Sequence, residues 1–225
     1  SKDDVGTLIL SGNNDYTGDT TINAGTLSLG SELAMGTGSL SIGGGALQAS
    51  TNLGAIDNSY TLTQPSTMNG SNNFEMSGAG NLGSNTLTVA NTGGTITLSG
   101  ILSGNGGGIS KTGAGNLVLS ENNTYTGTTT INAGTLSLGS DAALGLGTLS
   151  MNGGALQAST ASVNIANSYA LTALSTMNGS NSFEMSGAGN LHADTLTVAN
   201  TAGTITLSGI LTSNGGGISK TSAGT

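Results

Sequence analysis

Apolar residues alternate with threonine, serine and other small residues in short stretches along the whole chain. Such alternation puts every second side chain on one side of an extended backbone, which is typical of a strand with one buried face. The candidate strands of residues 110–218 are NLVLS, TTTIN, GTLSLG, GTLSMN, GALQAS, SYALT, SFEMS, DTLTVAN and GTITLSG. Because no apolar stripe recurs at helical spacing, the pattern predicts an all-β protein.

The pattern repeats after 109 residues without insertion or deletion. NNDYTGDTTINAGTLSLGS at residues 13–31 returns as NNTYTGTTTINAGTLSLGS at residues 122–140. We therefore divide the chain into a first repeat (1–109), a second repeat (110–218) and the start of a third (219–225). The shared phase of Ser1, Ser110 and Ser219 predicts one continuous excerpt of a longer tandem array.

Short strands at this spacing fit either an antiparallel sandwich or a parallel β-solenoid. The gap-free repeat favours the solenoid, since each coil of a solenoid contacts only its neighbours. Small inward side chains also suit a narrow core, and Asn and Gly suit its corners. The sequence predicts a right-handed parallel β-helix with about 22 residues per coil and about five coils per 109-residue repeat.

Composition and charge remove several classes of function. The chain has 40 glycines, 35% hydrophobic residues and 6% charged residues, with three lysines, no arginine and a net charge of -8. The apolar content argues against disorder, and the charge argues against nucleic acid and anionic membranes as partners. No apolar stretch is long enough for a membrane-spanning helix, so we expect no membrane insertion of this segment. The chain has no cysteine, which excludes disulfides.

Few residues offer catalytic chemistry. The single histidine, His192, has no cysteine to act with, and the acids that recur between the repeats are Glu75 with Glu184 and Glu32 with Asp141. A glycosidase would need a second acid from another coil to form a pair about 5 to 9 Å apart. We predict no enzyme activity, no metal and no cofactor, and we interpret these acids as outward charges that keep the surface soluble.

One segment resembles a known family. Residues 111–139 (KTGAGNLVLSENNTYTGTTTINAGTLSLG) are similar to the passenger-associated transport repeat of autotransporter proteins, and the following GTLSMNGGALQAS is similar to the next coil of such passengers. The residues that carry the resemblance, with a structural role, are Gly113, Gly115, Leu117, Leu119, Tyr125, Thr126, Gly127, Gly134, Leu136, Leu138 and Gly139, and in the first repeat Tyr16, Thr17, Gly18, Gly25, Leu27, Leu29 and Gly30. In the first repeat Asp3, Asp4 and Val5 replace the leading Thr, Gly and Ala, so the start of the motif is weaker there.

The resemblance implies a parallel β-helix that crosses the outer membrane unfolded and folds outside a Gram-negative cell. We predict an extracellular stalk or adhesin segment at the bacterial surface, continued by further repeats. Identical copies would present the same side chains at intervals, for self-association end to end or laterally, or for a host or neighbouring-cell receptor or glycan. The alternatives are a glycan- or receptor-binding β-helix adhesin, an ice-binding face made by the recurrent threonines, and a polysaccharide-active enzyme.

Overall fold

The computed structural model describes all 225 residues, and its regular secondary structure consists of 28 short β-strands. The strands of the first half are β1 Thr7–Leu10, β2 Thr20–Ile22, β3 Thr26–Leu29, β4 Leu40–Gly43, β5 Ala46–Ala49, β6 Ala55–Ile56, β7 Tyr60–Gln64, β8 Ser66–Met68, β9 Phe74–Met76, β10 Gly80–Asn81, β11 Thr86–Val89, β12 Thr95–Leu98, β13 Leu102–Ser103 and β14 Gly108–Lys111. Those of the second half are β15 Asn116–Leu119, β16 Thr129–Ile131, β17 Thr135–Leu138, β18 Leu149–Asn152, β19 Ala155–Ala158, β20 Val163–Ile165, β21 Tyr169–Ala173, β22 Ser175–Met177, β23 Phe183–Met185, β24 Gly189–Asn190, β25 Thr195–Val198, β26 Ile205–Leu207, β27 Leu211–Thr212 and β28 Gly217–Lys220.

These strands form the three sides of a solenoid, and every pairing between coils is parallel. Face 1 is the eleven-stranded sheet β1-β3-β5-β8-β11-β14-β16-β18-β21-β24-β27, and face 3 is the nine-stranded sheet β6-β9-β12-β15-β17-β19-β22-β25-β28. Face 2 contains the five-stranded sheet β2-β4-β7-β10-β13 and the three-stranded sheet β20-β23-β26. The predicted parallel β-solenoid is confirmed, and a right-handed winding remains the expectation for parallel crossovers.

Each repeat contains two sides without a strand. In the second repeat they are residues 122–127 and 140–147, which lie on face 2 between its two sheets. Hydrogen bonds outside any regular ladder continue the stack there: for example, the amide N of Thr124 donates to Leu102 O at 2.8 Å, and that of Asn123 to Ala142 O at 3.0 Å. In the first repeat the equivalent residues 13–18 and 31–38 lie on face 3, next to β6.

The coil is shorter than the 22 residues expected. Paired residues of successive coils on face 1 lie 19 to 22 positions apart, from Thr7 opposite Thr26 to Thr86 opposite Gly108. The corners are short, since Pro65 alone separates β7 from β8. As a result, 109 residues form sixteen sides, which is five and one third coils rather than about five.

A continuous core of 44 buried apolar residues runs inside the three faces. Leucine, isoleucine and valine dominate it, and Phe74, Phe183 and Tyr125 are among its large aromatic side chains. Tyr60 occupies the space above a glycine: a Cβ atom at Gly80 would lie 2.5 Å from the Tyr60 Cζ atom. The aromatic residues and methionines are therefore mainly core residues, although Tyr16 is 38% exposed.

Two buried tyrosines make a matched test of hydrogen bonding in the core. The Tyr125 hydroxyl lies 2.6 Å from Thr129 Oγ1, whereas the Tyr60 hydroxyl has no partner. We expect Tyr125→Phe to lower the free energy of unfolding by about 1 kcal/mol or more, because it strands a buried hydroxyl. Tyr60→Phe removes an unpaired polar group and should leave stability unchanged or raise it. Urea unfolding of both variants checks this, and an equal loss in both would contradict it.

Lys111 is a charged residue inside the core. Its side chain is fully buried at the end of β14, and its Nζ donates to the backbone oxygen of Gly113 at the following corner. Burial lowers the pKa of Lys111 to about 8. The same repeat position is taken by Lys220, which is exposed, and its Nζ donates to Ser222 O.

Candidate functional site

The structure puts the leucines and the glycines of the repeat motif at different parts of the coil. The inward motif leucines Leu27, Leu29, Leu117, Leu119, Leu136 and Leu138 are all buried. Thr17 and Thr126 point outward, and Tyr125 is buried. The motif glycines Gly18, Gly25, Gly30, Gly113, Gly115, Gly127, Gly134 and Gly139 all lie outside the strands, at turns and corners.

Close approach of neighbouring coils explains several of these glycines. Gly25 and Gly134 have φ values of 68° and 67°, which favour glycine. A Cβ atom at Gly115 would lie 2.5 Å from Gly93 O, a distance that side chains essentially never show. The structural role that the sequence gives to these residues remains a prediction, and these positions are consistent with it.

One corner of each repeat carries a column of stacked small residues, which we call the glycine column. In the first repeat it consists of Gly18, Gly38, Asn58, Gly78 and Gly100, and in the second of Gly127, Gly147, Asn167, Gly187 and Gly209. At most of these glycines an added Cβ atom would lie well under 3.0 Å from a backbone oxygen of the coil beneath. This holds for Gly38, Gly78, Gly100, Gly147, Gly187 and Gly209. The glycines of the column therefore leave no room for a side chain, because the coils stack backbone on backbone there.

A surface groove lies over each glycine column, and we call it the corner groove. The groove of the first repeat has a volume of about 360 Å³ and that of the second about 410 Å³. The first is lined by Glu32, Leu33, Gly36, Thr37, Gly38, Ala55, Asp57, Asn58, Ser59, Gly78 and Ala79. The second is lined by Asp141, Ala142, Gly145, Leu146, Gly147, Thr148, Ala166, Asn167 and Ser168. Most of these residues occupy equivalent repeat positions, so the groove is a recurrent surface.

An asparagine holds the strandless turn that forms one wall of the groove. Asn58 Nδ2 donates to Gly36 O at 3.1 Å and to Gly38 O at 2.7 Å. Its equivalent Asn167 makes the same pair of hydrogen bonds, at 3.0 and 2.6 Å. Sequence reasoning missed this groove, although the recurrence of Asn at the same repeat position was a usable signal.

Each groove carries one recurrent carboxylate. Glu32 Oε1 accepts a 2.8 Å hydrogen bond from the amide N of Gly54, which holds the pKa of that carboxyl below its usual range. Asp141 Oδ1 accepts a comparable bond from the amide N of Asn164, also at 2.8 Å, although this donor lies one repeat position later. The groove therefore offers fixed negative charge, which suits a ligand rich in hydroxyl or amide donors.

The rim of each groove also exposes one leucine. Leu33 is 54% exposed beside the first groove and Leu146 is 74% exposed beside the second. Because the two leucines occupy different repeat positions, the rims are similar in chemistry without being identical. An exposed apolar rim beside polar groups is a common feature of binding surfaces.

The other candidate residues from the sequence, Glu75, Glu184 and His192, lie outside the two corner grooves. Glu75 and Glu184 accept hydrogen bonds from Ser99 and Ser208 of the next coil, on the outer sides of β9 and β23. His192 is exposed, with a φ of 47° where the first repeat has Gly83. No group of three or more His, Cys, Asp and Glu side chains with the spacing of a metal site is present.

The recurrent threonines form one outward column on face 1. From Thr26 the paired positions are Ala46, Thr67, Thr88, Ser110, Thr130, Ser150 and Ala170. Alanine and serine interrupt the threonines in this column. None of the structure's elements is an apolar helix long enough to cross a bilayer.

Comparison with known proteins identifies the family. The family model named passenger-associated-transport-repeat matches residues 1–29 and 109–138. The Adhesin BmaC autotransporter of Brucella suis biovar 1 (strain 1330) is 36% identical over 266 residues, a match that covers 100% of this chain and 7% of that protein. The chain thus spans less than a tenth of the length of this relative, and no solved structure matches it. These matches and the solenoid fold indicate an exported, extracellular segment at the cell surface, and the chain belongs to the autotransporter passenger domains with passenger-associated transport repeats.

Proposed function

We propose that this segment is a stiff adhesin rod whose corner grooves bind uncharged glycans, and that it has no enzymatic role. The observation that carries the proposal is the recurrence of the same groove, with the same asparagine and carboxylate, in both repeats. The adhesin name of the relative supports an adhesive role for the whole passenger. Recurrent weak sites on one rod strengthen binding through multivalency.

The chemistry of the groove favours uncharged sugars as ligands. Its carboxylates and the net charge of -8 repel acidic polysaccharides, while the carboxylates can accept hydrogen bonds from sugar hydroxyls. Leu33 and Leu146 offer apolar contact for the carbon face of a sugar ring.

A glycan array with neutral, sulfated and sialylated oligosaccharides tests the ligand. We expect four-repeat rods, built from two tandem copies of residues 1–218, to bind neutral glycans, and rods that carry Leu33→Asn/Leu146→Asn in both copies to lose at least tenfold in apparent affinity. The matched control is Leu174→Asn, since Leu174 is also exposed but lies outside both grooves. Equal binding by both variants, or no binding to any glycan, would refute the groove as the adhesive site.

The rod itself is tested by length. Five and one third coils at about 4.8 Å per coil predict that each added repeat lengthens the particle by about 26 Å. Electron microscopy of fragments with two, three and four repeats should show this constant increment. Beads joined by flexible gaps would instead mean that the repeats fold as separate domains.

A further inference from the structure

Equivalent parts of the two repeats lie on different faces of the solenoid. The first glycine column precedes β2, β4, β7, β10 and β13, so it lies at the corner where face 3 leads into face 2. The second column precedes β16, β18, β21, β24 and β27, so it lies where face 2 leads into face 1. The corner groove has therefore moved by one corner between repeats that are nearly identical in sequence.

The cause is the number of sides in a repeat. Three sides complete a coil, and 109 residues form sixteen sides, one more than a whole number of coils. Every strand of the first repeat follows the same rule: β4 on face 2 has its equivalent β18 on face 1, and β5 on face 1 has its equivalent β19 on face 3. The shift therefore belongs to the whole repeat.

We infer that successive repeats of a longer array are rotated by one third of a turn, so that their binding surfaces wind around the rod. The surface returns to the same face after three repeats, which are sixteen coils or about 77 Å. The inference concerns the geometry of the array, and only its use in adhesion rests on the proposed function.

This winding determines what kind of partner the array fits. A flat receptor-covered surface that lies along one side of the rod meets a given corner groove once in every three repeats. Any stretch of three repeats, however, presents a groove at each of the three corners. Such a rod can bind without first rotating about its axis, and it can bind partners on three sides at once.

Spin-label distances in the present chain test the rotation, because the chain has no native cysteine. Thr61 and Ala170 are equivalent residues of the two repeats and lie on faces 2 and 1. Thr67 lies in the same coil as Thr61, but on face 1. Five successive strand pairings on that face lead from Thr67 to Ala170. The pair Thr67→Cys/Ala170→Cys therefore measures the rise of five coils along one face, about 24 Å.

We expect the pair Thr61→Cys/Ala170→Cys to give a distance about 10 Å longer, because its labels also lie on different sides of a coil whose edges are about 20 Å. If equivalent residues of the two repeats instead lay on the same face, the Thr61→Cys/Ala170→Cys pair would give the shorter of the two distances. That result would overturn the inference. The result is independent of adhesion. If the distances show the rotation but the groove variants bind glycans normally, only the proposed function is refuted. If the distances place equivalent residues on the same face, only the inference is refuted.

Discussion

Gly100→Ala is expected to destabilise the protein by about 3 kcal/mol or more, although it adds a single methyl group. A Cβ atom at Gly100 would lie well under 3.0 Å from Gly78 O, which belongs to the backbone of the preceding coil. A backbone oxygen cannot move aside by changing rotamer. Neighbouring coils must separate at this corner and lose hydrogen bonds between them, which urea unfolding measures as a lower midpoint.

The matched control is Gly18→Ala in the same glycine column. A Cβ atom at Gly18 would have no heavy atom within 4 Å, so we expect a change within about 0.5 kcal/mol. Similar losses of stability in both variants would show that the backbone preference of glycine, and not the close stacking of the coils, causes the destabilisation.

Lys111→Ala is expected to destabilise the protein by about 2 to 4 kcal/mol. The substitution empties the space of a fully buried side chain and leaves Gly113 O without its donor. Lys220→Ala is the control at the equivalent repeat position, where the side chain is exposed, and should cost less than about 1 kcal/mol. Comparable losses at both positions would show that burial of the lysine stem is not the cause.

The charge of Lys111 gives the stability a characteristic pH dependence. Its pKa is about 8 in the folded protein and near 10.5 in the unfolded chain, so the unfolded chain binds more protons between these values. Stability should therefore rise with pH from 8 to 9.5, by as much as about 1.4 kcal/mol for each pH unit. Lys111→Met should remove this rise. Above pH 10 the opposite trend begins, because burial raises the pKa of Tyr60 and Tyr125.

The sequence was sufficient to predict strands and their stacking where alternation was strong. Leu117 and Leu119 alternate with polar or outward residues and lie in β15, as predicted. Shorter strands such as β22 (Ser175–Met177) were missed, because they follow the preceding strand after one residue and show no separate period. The total of sixteen sides could not be counted from sequence, since connections range from Pro65 alone to the ten residues between β17 and β18.

Burial of Lys111 and the corner groove also escaped prediction, for different reasons. Lysine is almost always exposed, although its place two residues after Ile109 in an alternating strand was a signal of inward orientation. The groove depends on a contact between Asn58 and a turn twenty residues earlier in the chain. Such contacts follow from the length of the coil, which was overestimated from the sequence at about 22 residues.

The strandless sides have a mechanical consequence. Where residues 122–127 and 140–147 replace strands, hydrogen bonds outside any regular ladder join the coils, so we expect the rod to be more compliant on that side. In the first repeat the compliant side is face 3, and in the second it is face 2. Small bends at successive repeats therefore point in different directions and cancel over three of them. We therefore expect a long array of these repeats to stay straight and to resist bending equally in all directions, even though each repeat has one weak side.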